Sequence, residues 1–303
     1  MLKPVQYSVC GSFLLFAATP AFAQTNSSTM PEVVVTGTAP AETRPGWLAE
    51  EQPIGNNQQP EWTTQRRFAT TRIYVAPPGQ IEFEQWWKGK FARHGSAIGE
   101  SEHLWQTEIS VGLPYRFQLD LYQNTEMPAH HGLRTAGQQV ELRWAFADWG
   151  KIPLNPTLYG EWKFNAHDEP DAYEIKLLLG EDFATRWHWG FNIFFEQQVG
   201  GGRESEMGFA QGISYSLVDG KLSAGVEMQL ERASGPNLDG KPATEFLIGP
   251  SLQWRFCPRT HLDFVPLFGC TDDSPAVEAF IVFGIDLGRE QKSARAPVST
   301  RSR

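Results

Sequence analysis

The chain has 303 residues, with 35 acidic against 26 basic side chains and a formal net charge of −9. An acidic chain with no basic stripe argues against a nucleic-acid binder, and charged residues at 20% argue against a bundle of apolar helices. Only the first two dozen residues form a long apolar run, so the choice lies between an exported soluble protein and a β-barrel.

The opening "MLKPVQYSVCGSFLLFAATPAFAQ" has a lone Lys3, an apolar core around Gly11 to Ala18, and the small-residue end Ala21-Phe22-Ala23. That layout predicts a signal peptide over 1–23. The core is shorter than the roughly 20 residues a spanning helix needs, and Cys10 precedes it, which argues against a lipoprotein site. Residues 24–69 are rich in Pro, Thr, Asn, Gln and Glu and offer little to bury, which predicts a disordered periplasmic linker.

Within that linker, Glu32-Val33-Val34-Val35-Thr36-Gly37 resembles the TonB box of outer-membrane receptors. Such receptors carry a plug domain of well over a hundred residues and a 22-stranded barrel, and this chain has room for neither. The expectation is a box-like segment without a plug domain. It is either an incidental β-prone patch or a weak contact, through Glu32 to Gly37, with a TonB-type periplasmic partner.

Residues 70–288 alternate between apolar and polar positions. In "YRFQLDLYQ", Tyr115, Phe117, Leu119 and Leu121 share one face, opposite Arg116, Gln118, Asp120 and Tyr122. "RWHWGFNIFFEQ" sets Trp187, Trp189, Phe191, Ile193 and Phe195 against His188, Gly190, Asn192 and Glu196. A period of two is the strand signature. About twelve such segments begin near Gln80, His103, Tyr115, Gln138, Thr157, Ala172, Arg186, Glu206, Lys221, Thr244, Thr260 and Ala276. Most have the length a tilted strand needs to cross a bilayer, about 9–11 residues. Connectors alternate between longer and tighter, the nine-residue "DWGKIPLNP" being the exception among the tight ones. The pattern predicts an all-β fold, an antiparallel up-and-down transmembrane β-barrel of about 12 strands with both ends periplasmic.

Trp86, Trp87, Trp105, Tyr115, Trp144, Trp149, Trp162, Trp187 and Trp254 fall near strand ends, as interfacial aromatic girdles do. The last strand, "AVEAFIVFGIDLG", precedes a basic polar tail over 289–303. The signal for the barrel-assembly machinery is therefore expected inside, around Phe283 to Leu287. Cys257 and Cys270 are expected to be unpaired.

With apolar faces toward outer-membrane lipid, the alternate residues line the interior. The candidate lumen-lining residues are Glu108, Arg116, Asp120, Glu141, Arg143, Glu161, Lys163, Glu174, Lys176, Glu196, Glu227 and Arg255. With Glu82, Glu84, Glu231, Asp263, Glu278 and Asp286 added, thirteen inward acids face five cations. Buried charges are costly unless paired or wet. The interior is thus either a water-filled acidic pore or a set of paired charges that plugs it. No His-x-Ser-Asn pattern is present, and the His130-His131 doublet lacks a third ligand, so no catalytic residue, cofactor or metal is expected.

The "GQIEFEQWW" first strand after "APPG", the "LPYRFQLDLYQ" hairpin and "RTHLDFVPLFG" leading to "VFGIDLG" resemble a group of small exported barrels regarded as outer-membrane transporters. One such group is associated with phenol degradation. The resemblance implies a Gram-negative outer-membrane location and passive passage of a small solute. The reading is a porin-like, monomeric, non-enzymatic channel with an acidic lumen; the alternative is a non-conducting barrel acting as a surface or structural scaffold.

Overall fold

The computed structural model describes residues 44–93, 101–128, 131–200, 203–236 and 242–288. All belong to one compact unit. The signal peptide, the segment Glu32 to Gly37, His130 and the tail 289–303 lie outside the described residues.

Two short strands, β1 (Pro53–Ile54) and β2 (Gln59–Pro60), pair with each other ahead of the barrel. The wall follows as β3 (Ile81–Phe91), β4 (Glu102–Leu113), β5 (Phe117–Met127), β6 (Arg134–Ala145), β7 (Thr157–Asn165) and β8 (Ala172–Ala184). It continues through β9 (Trp187–Gln198), β10 (Ser205–Val218), β11 (Leu222–Ser234), β12 (Ala243–Cys257), β13 (Thr260–Gly269) and β14 (Val277–Asp286). Each strand pairs antiparallel with its sequence neighbour, and β14 returns to β3, so the sheet closes as a 12-stranded barrel. Closure leaves no unpaired edge in lipid.

Strand starts follow the alternation closely, apart from β6. That strand begins at Arg134, four residues before the alternation predicts, because a bulge interrupts it. The register shifts between Asn124 and Thr125, and Gly137 has φ 150°. Alternation fails across a bulge because the extra residue moves later side chains to the other face.

The outer face is apolar. Ile109, Leu121, Leu142, Trp144, Leu158, Trp162, Ile175, Ile193, Trp254 and Phe264 are all exposed, while their neighbours Glu108, Asp120, Glu141, Arg143, Glu161 and Glu174 are buried. A protein in water does not expose so continuous an apolar surface; here it is the lipid-facing band. Trp86 and Trp149 depart from the girdle expectation. Both are buried on the inside of the molecule. Cys257 and Cys270 are free and exposed.

The largest departure concerns residues 44–69. They are not a linker in the part described. Together with 70–79 they run inside the barrel, so the wall itself spans 81–286 rather than 70–288. Trp62, Phe68, Ile73, Tyr74 and Val75 are buried as one cluster with Ala145 and Trp149. The wall makes room for this segment. Gly180, Gly190 and Gly212 lie side by side across β8, β9 and β10 on the inner face. A Cβ on Gly190 would sit 2.1 Å from Ile73 Cδ1, and one on Gly212 would sit 2.4 Å from Phe68 Cδ1. The absence of side chains there lets Phe68 and Ile73 rest directly on the sheet backbone.

Placing Ile at Gly190 should therefore displace the inner segment without opening the barrel. Overpacking of this kind costs about 1–3 kcal/mol or more. The expected result is unchanged heat-modifiable gel migration, with new protease cuts within 44–79.

Candidate functional site

The segment can be followed inward from the barrel end where β3 begins and β14 finishes, called here the near end. A 3-10 turn at Ala49–Glu51 docks on the rim. The amides of Ala49 and Glu50 donate to Asp219 at 2.8 and 3.1 Å, and Arg186 N donates to Glu51. Glu50 also takes Arg67 at 2.8 Å and the hydroxyl of Ser216. Burial opposes the charge on Glu50, but Arg67, His188, Arg255 and Ser216 outweigh it and hold this carboxyl well below the usual range.

Past the rim, Trp62 stacks on His188 with ring centroids 4.6 Å apart, and its Nε1 donates to Asp182 at 2.5 Å. Trp149 meets Trp62 and Tyr74 edge-on at 6.0 and 5.3 Å. Trp149 belongs to the long exceptional connector between β6 and β7, whose Trp149 N donates to Asn57 O at 2.9 Å. The length of that connector thus has a physical reason: it folds over the inner segment.

At mid-depth the contacts become ionic. Arg66 Nε lies 2.8 Å from both oxygens of Glu84, and Arg66 Nη2 reaches Glu108 at 2.9 Å. Its guanidinium lies over the Trp86 ring at 4.1 Å. Arg72 Nη2 donates to the same Glu108 at 3.0 Å and to the Tyr122 hydroxyl at 3.0 Å. Glu227 receives Ala69 N at 3.2 Å, Thr70 N at 2.8 Å and Thr70 Oγ1 at 2.7 Å. Asn192 grips the backbone of Arg72 both ways, accepting from its N at 2.8 Å and donating to its O at 2.6 Å. Arg143 donates to Tyr74 O at 3.3 Å, and Gln253 donates to Arg66 O. Partners on β3, β4, β5, β6, β9, β11 and β12 surround one short stretch, which places it in the lumen.

The residues singled out from sequence fall into three groups. Glu108, Glu227 and Arg143 touch the inner segment directly, and Asp120 and Glu141 are held by Arg143 behind it. Glu161, Lys163, Glu174, Lys176 and Glu196 sit deeper toward the far end. There Lys163 reaches Glu196 at 2.5 Å and Glu161 at 3.6 Å, and Lys176 reaches Glu174 at 2.9 Å. Arg255 is buried beside the rim turn, where it acts electrostatically on Glu50 and Glu61. Arg116 is a correction. It lies in a left-handed turn at the near end, with φ 65°, and binds Ala145 O at 3.1 Å and Asp148 at 3.2 Å. The tight turn ends the alternation before reaching it, so it is not on the strand wall.

The acid surplus is smaller than the wall alone suggests. Lys88 and Lys90 on β3 both pair with Glu278, at 2.8 and 3.5 Å. Arg66, Arg67 and Arg72 enter from the N-terminal side of the wall. Among the described residues no separate plug domain is present; the near half of the interior is filled by the short segment 44–79.

The inner segment divides the space unevenly. Around residues 63–76 the remaining cavity is about 40 Å³, room for a water molecule or two. Beyond Thr70, toward the far end, two cavities of about 230 and 350 Å³ adjoin. They share Thr70, Lys88, Lys163, Glu174, Lys176 and Gln229. The result is a charged vestibule whose floor is the inner segment.

No family model matches the chain, and no curated protein matches it. Among solved structures it is similar to an outer membrane channel from Pseudomonas putida F1, with 8% identity, a TM-score of 0.54, and coverage of 71% of this chain and 97% of that one. The NanC porin follows at 12% identity and a TM-score of 0.47, covering 68% of this chain and 98% of that one. The likeness to the first is one of fold. With the apolar outer band and the closed sheet, it makes this chain a bacterial outer-membrane β-barrel.

Proposed function

We propose that this barrel is a channel for a small polar or amphipathic solute, closed at its near end by its own residues 44–79. The observation that carries this reading is the abrupt change along the axis, from a wide charged vestibule to a segment packed with almost no free space. A scaffold needs no vestibule, and an open porin needs no segment folded across its lumen. On this reading the near end, with its mostly tight turns and both ends of the wall, faces the periplasm. The resemblance to barrels of phenol degradation makes small aromatic compounds the first solute class to test. The remaining acids favour cations over anions.

The closed near end also favours a second reading, the non-conducting scaffold, and conductance separates the two. In planar bilayers the wild-type barrel should show rare, small steps. Arg66→Ala with Arg72→Ala leaves Glu84 and Glu108 without their guanidinium partners. Loss of one member of a buried pair costs about 3–5 kcal/mol, enough to release the segment. Frequent large steps with cation selectivity are expected from that variant. If it assembles, exposes residues 44–79 to protease and still carries no current, the barrel is a scaffold.

The opening device proposed here is a pull from the N-terminal side. Glu32 to Gly37 precede Arg44 in the chain, so a TonB-type partner gripping them would draw on the rim turn first. Deletion of Glu32 to Gly37 should lower solute uptake by cells while heat-modifiability stays normal. Unchanged uptake removes the partner but not the channel.

A further inference from the structure

One cluster on the inner face is only partly engaged by the inner segment: Glu84 takes Arg66 at 2.8 Å on both oxygens, and also meets His261, which faces Glu82 as well. Glu82 and Glu84 of β3 and His261 of β13 bring one ligand atom each within 4.8 Å of one another. His261 Nε2 lies 3.2 Å from Glu82 Oε1 and 3.3 Å from Glu84 Oε1. The other ring nitrogen, Nδ1, lies 2.7 Å from Asp263 Oδ2. β13 and β3 are not neighbours, because β14 runs between them. His261 pairs with Gly284, and Gly284 pairs with Glu84. The imidazole crosses β14 over that glycine, where a Cβ would stand 1.9 Å from Nε2. Only the missing side chain at 284 lets the histidine reach the β3 carboxylates.

The distances are informative. The short contact to Asp263 assigns a proton to Nδ1, which leaves Nε2 facing two carboxylate oxygens. A single N–H could serve both only as a bifurcated donor, and both contacts are longer than the roughly 2.7–2.9 Å to which charge-assisted bonds usually close. A neutral ring would direct its lone pair at two anions, an arrangement that a cation between them makes favourable. Bonds of about 2.0–2.1 Å to a tetrahedral metal put neighbouring ligand atoms about 3.3–3.4 Å apart, close to the two spacings from His261 Nε2 to the carboxylate oxygens. Asp263 behind His261 supplies the carboxylate–histidine relay that fixes the tautomer in metal sites. Its second oxygen, Oδ1, is buried without a hydrogen-bond partner among the described residues. One imidazole with two carboxylates suits a borderline divalent ion rather than a soft one.

We propose that Glu82, Glu84 and His261 bind one divalent cation of the Zn²⁺ class. The ion clasps the seam where the first and last strands of the wall, β3 and β14, meet. Glu82 is the least buried of the three and gives the ion its way in.

The test uses purified full-length barrel in detergent, stripped with EDTA. Titration with Co²⁺ should give a visible absorption of tetrahedral type at one equivalent, and Zn²⁺ should displace it. Zn²⁺ should raise the midpoint of heat-modifiable unfolding by several degrees. His261→Ala and Glu82→Gln should lose both responses, and Asp263→Asn should weaken Co²⁺ binding by about 10–100-fold. No Co²⁺ spectrum in the wild type, or an equal Zn²⁺ shift in wild type and Glu82→Gln, overturns the proposal and leaves an imidazolium held by carboxylates. If His261→Ala does not assemble, the wild-type spectrum and Glu82→Gln decide.

Discussion

The interior depends on how Glu108 is neutralised. Its carboxylate takes Arg66 and Arg72, and it also receives hydrogen bonds from Ser110 and Tyr122. A carboxylate taken out of water costs several kcal/mol unless such partners surround it. Both guanidinium groups come from the chain ahead of the wall, six residues apart. The wall therefore does not complete its own electrostatics. Twelve strands enclose more room than their side chains fill, and the acids that line it need either water or cations. The inner segment supplies cations at the near half, and at the far half Lys88, Lys90, Lys163 and Lys176 of the wall pair with the acids around the vestibule.

That division explains which parts of the structure were legible in the sequence. The strands were, because lipid outside and charge inside impose a period of two on nearly every wall residue. The girdle was legible in part. Trp149 lies just past the end of β6 and Trp86 at the middle of β3; Trp86 lies under Arg66, while Trp149 covers Trp62. Their role depends on a partner the local pattern does not contain.

The inner segment was missed for a different reason. Composition asks whether a stretch can bury a core of its own, and residues 44–79 cannot. They bury Trp62, Phe68 and Ile73 against a core that the barrel provides. Three traces of this were nonetheless present in the wall. Gly180, Gly190 and Gly212 interrupt the inner face at matching depth. Thirteen inward acids faced too few cations. One near-end connector, 146–156, was too long for its position. Each has a bland explanation alone, and only the strand register brings them together on one occupant. The cluster at His261 was hidden in the same way, since Glu84, Gly284 and His261 are aligned by pairing and not by spacing along the chain.

The character of the contacts also matters for what the inner segment can do. The wall is held by a continuous ladder of backbone hydrogen bonds in lipid, where water cannot replace a lost partner. The inner segment is held differently. Glu227 and Asn192 bind its backbone through side chains, Arg66 and Arg72 bind carboxylates, and Phe68 rests on bare glycine backbone. Arg66, Thr70, Arg72 and Asn192 line the vestibule, so water can reach the contacts of the inner segment from that side. Exchange of such contacts for hydration costs far less than opening a strand pair. A barrel built this way can lose its inner segment without losing its wall, and a reversible closure requires that asymmetry.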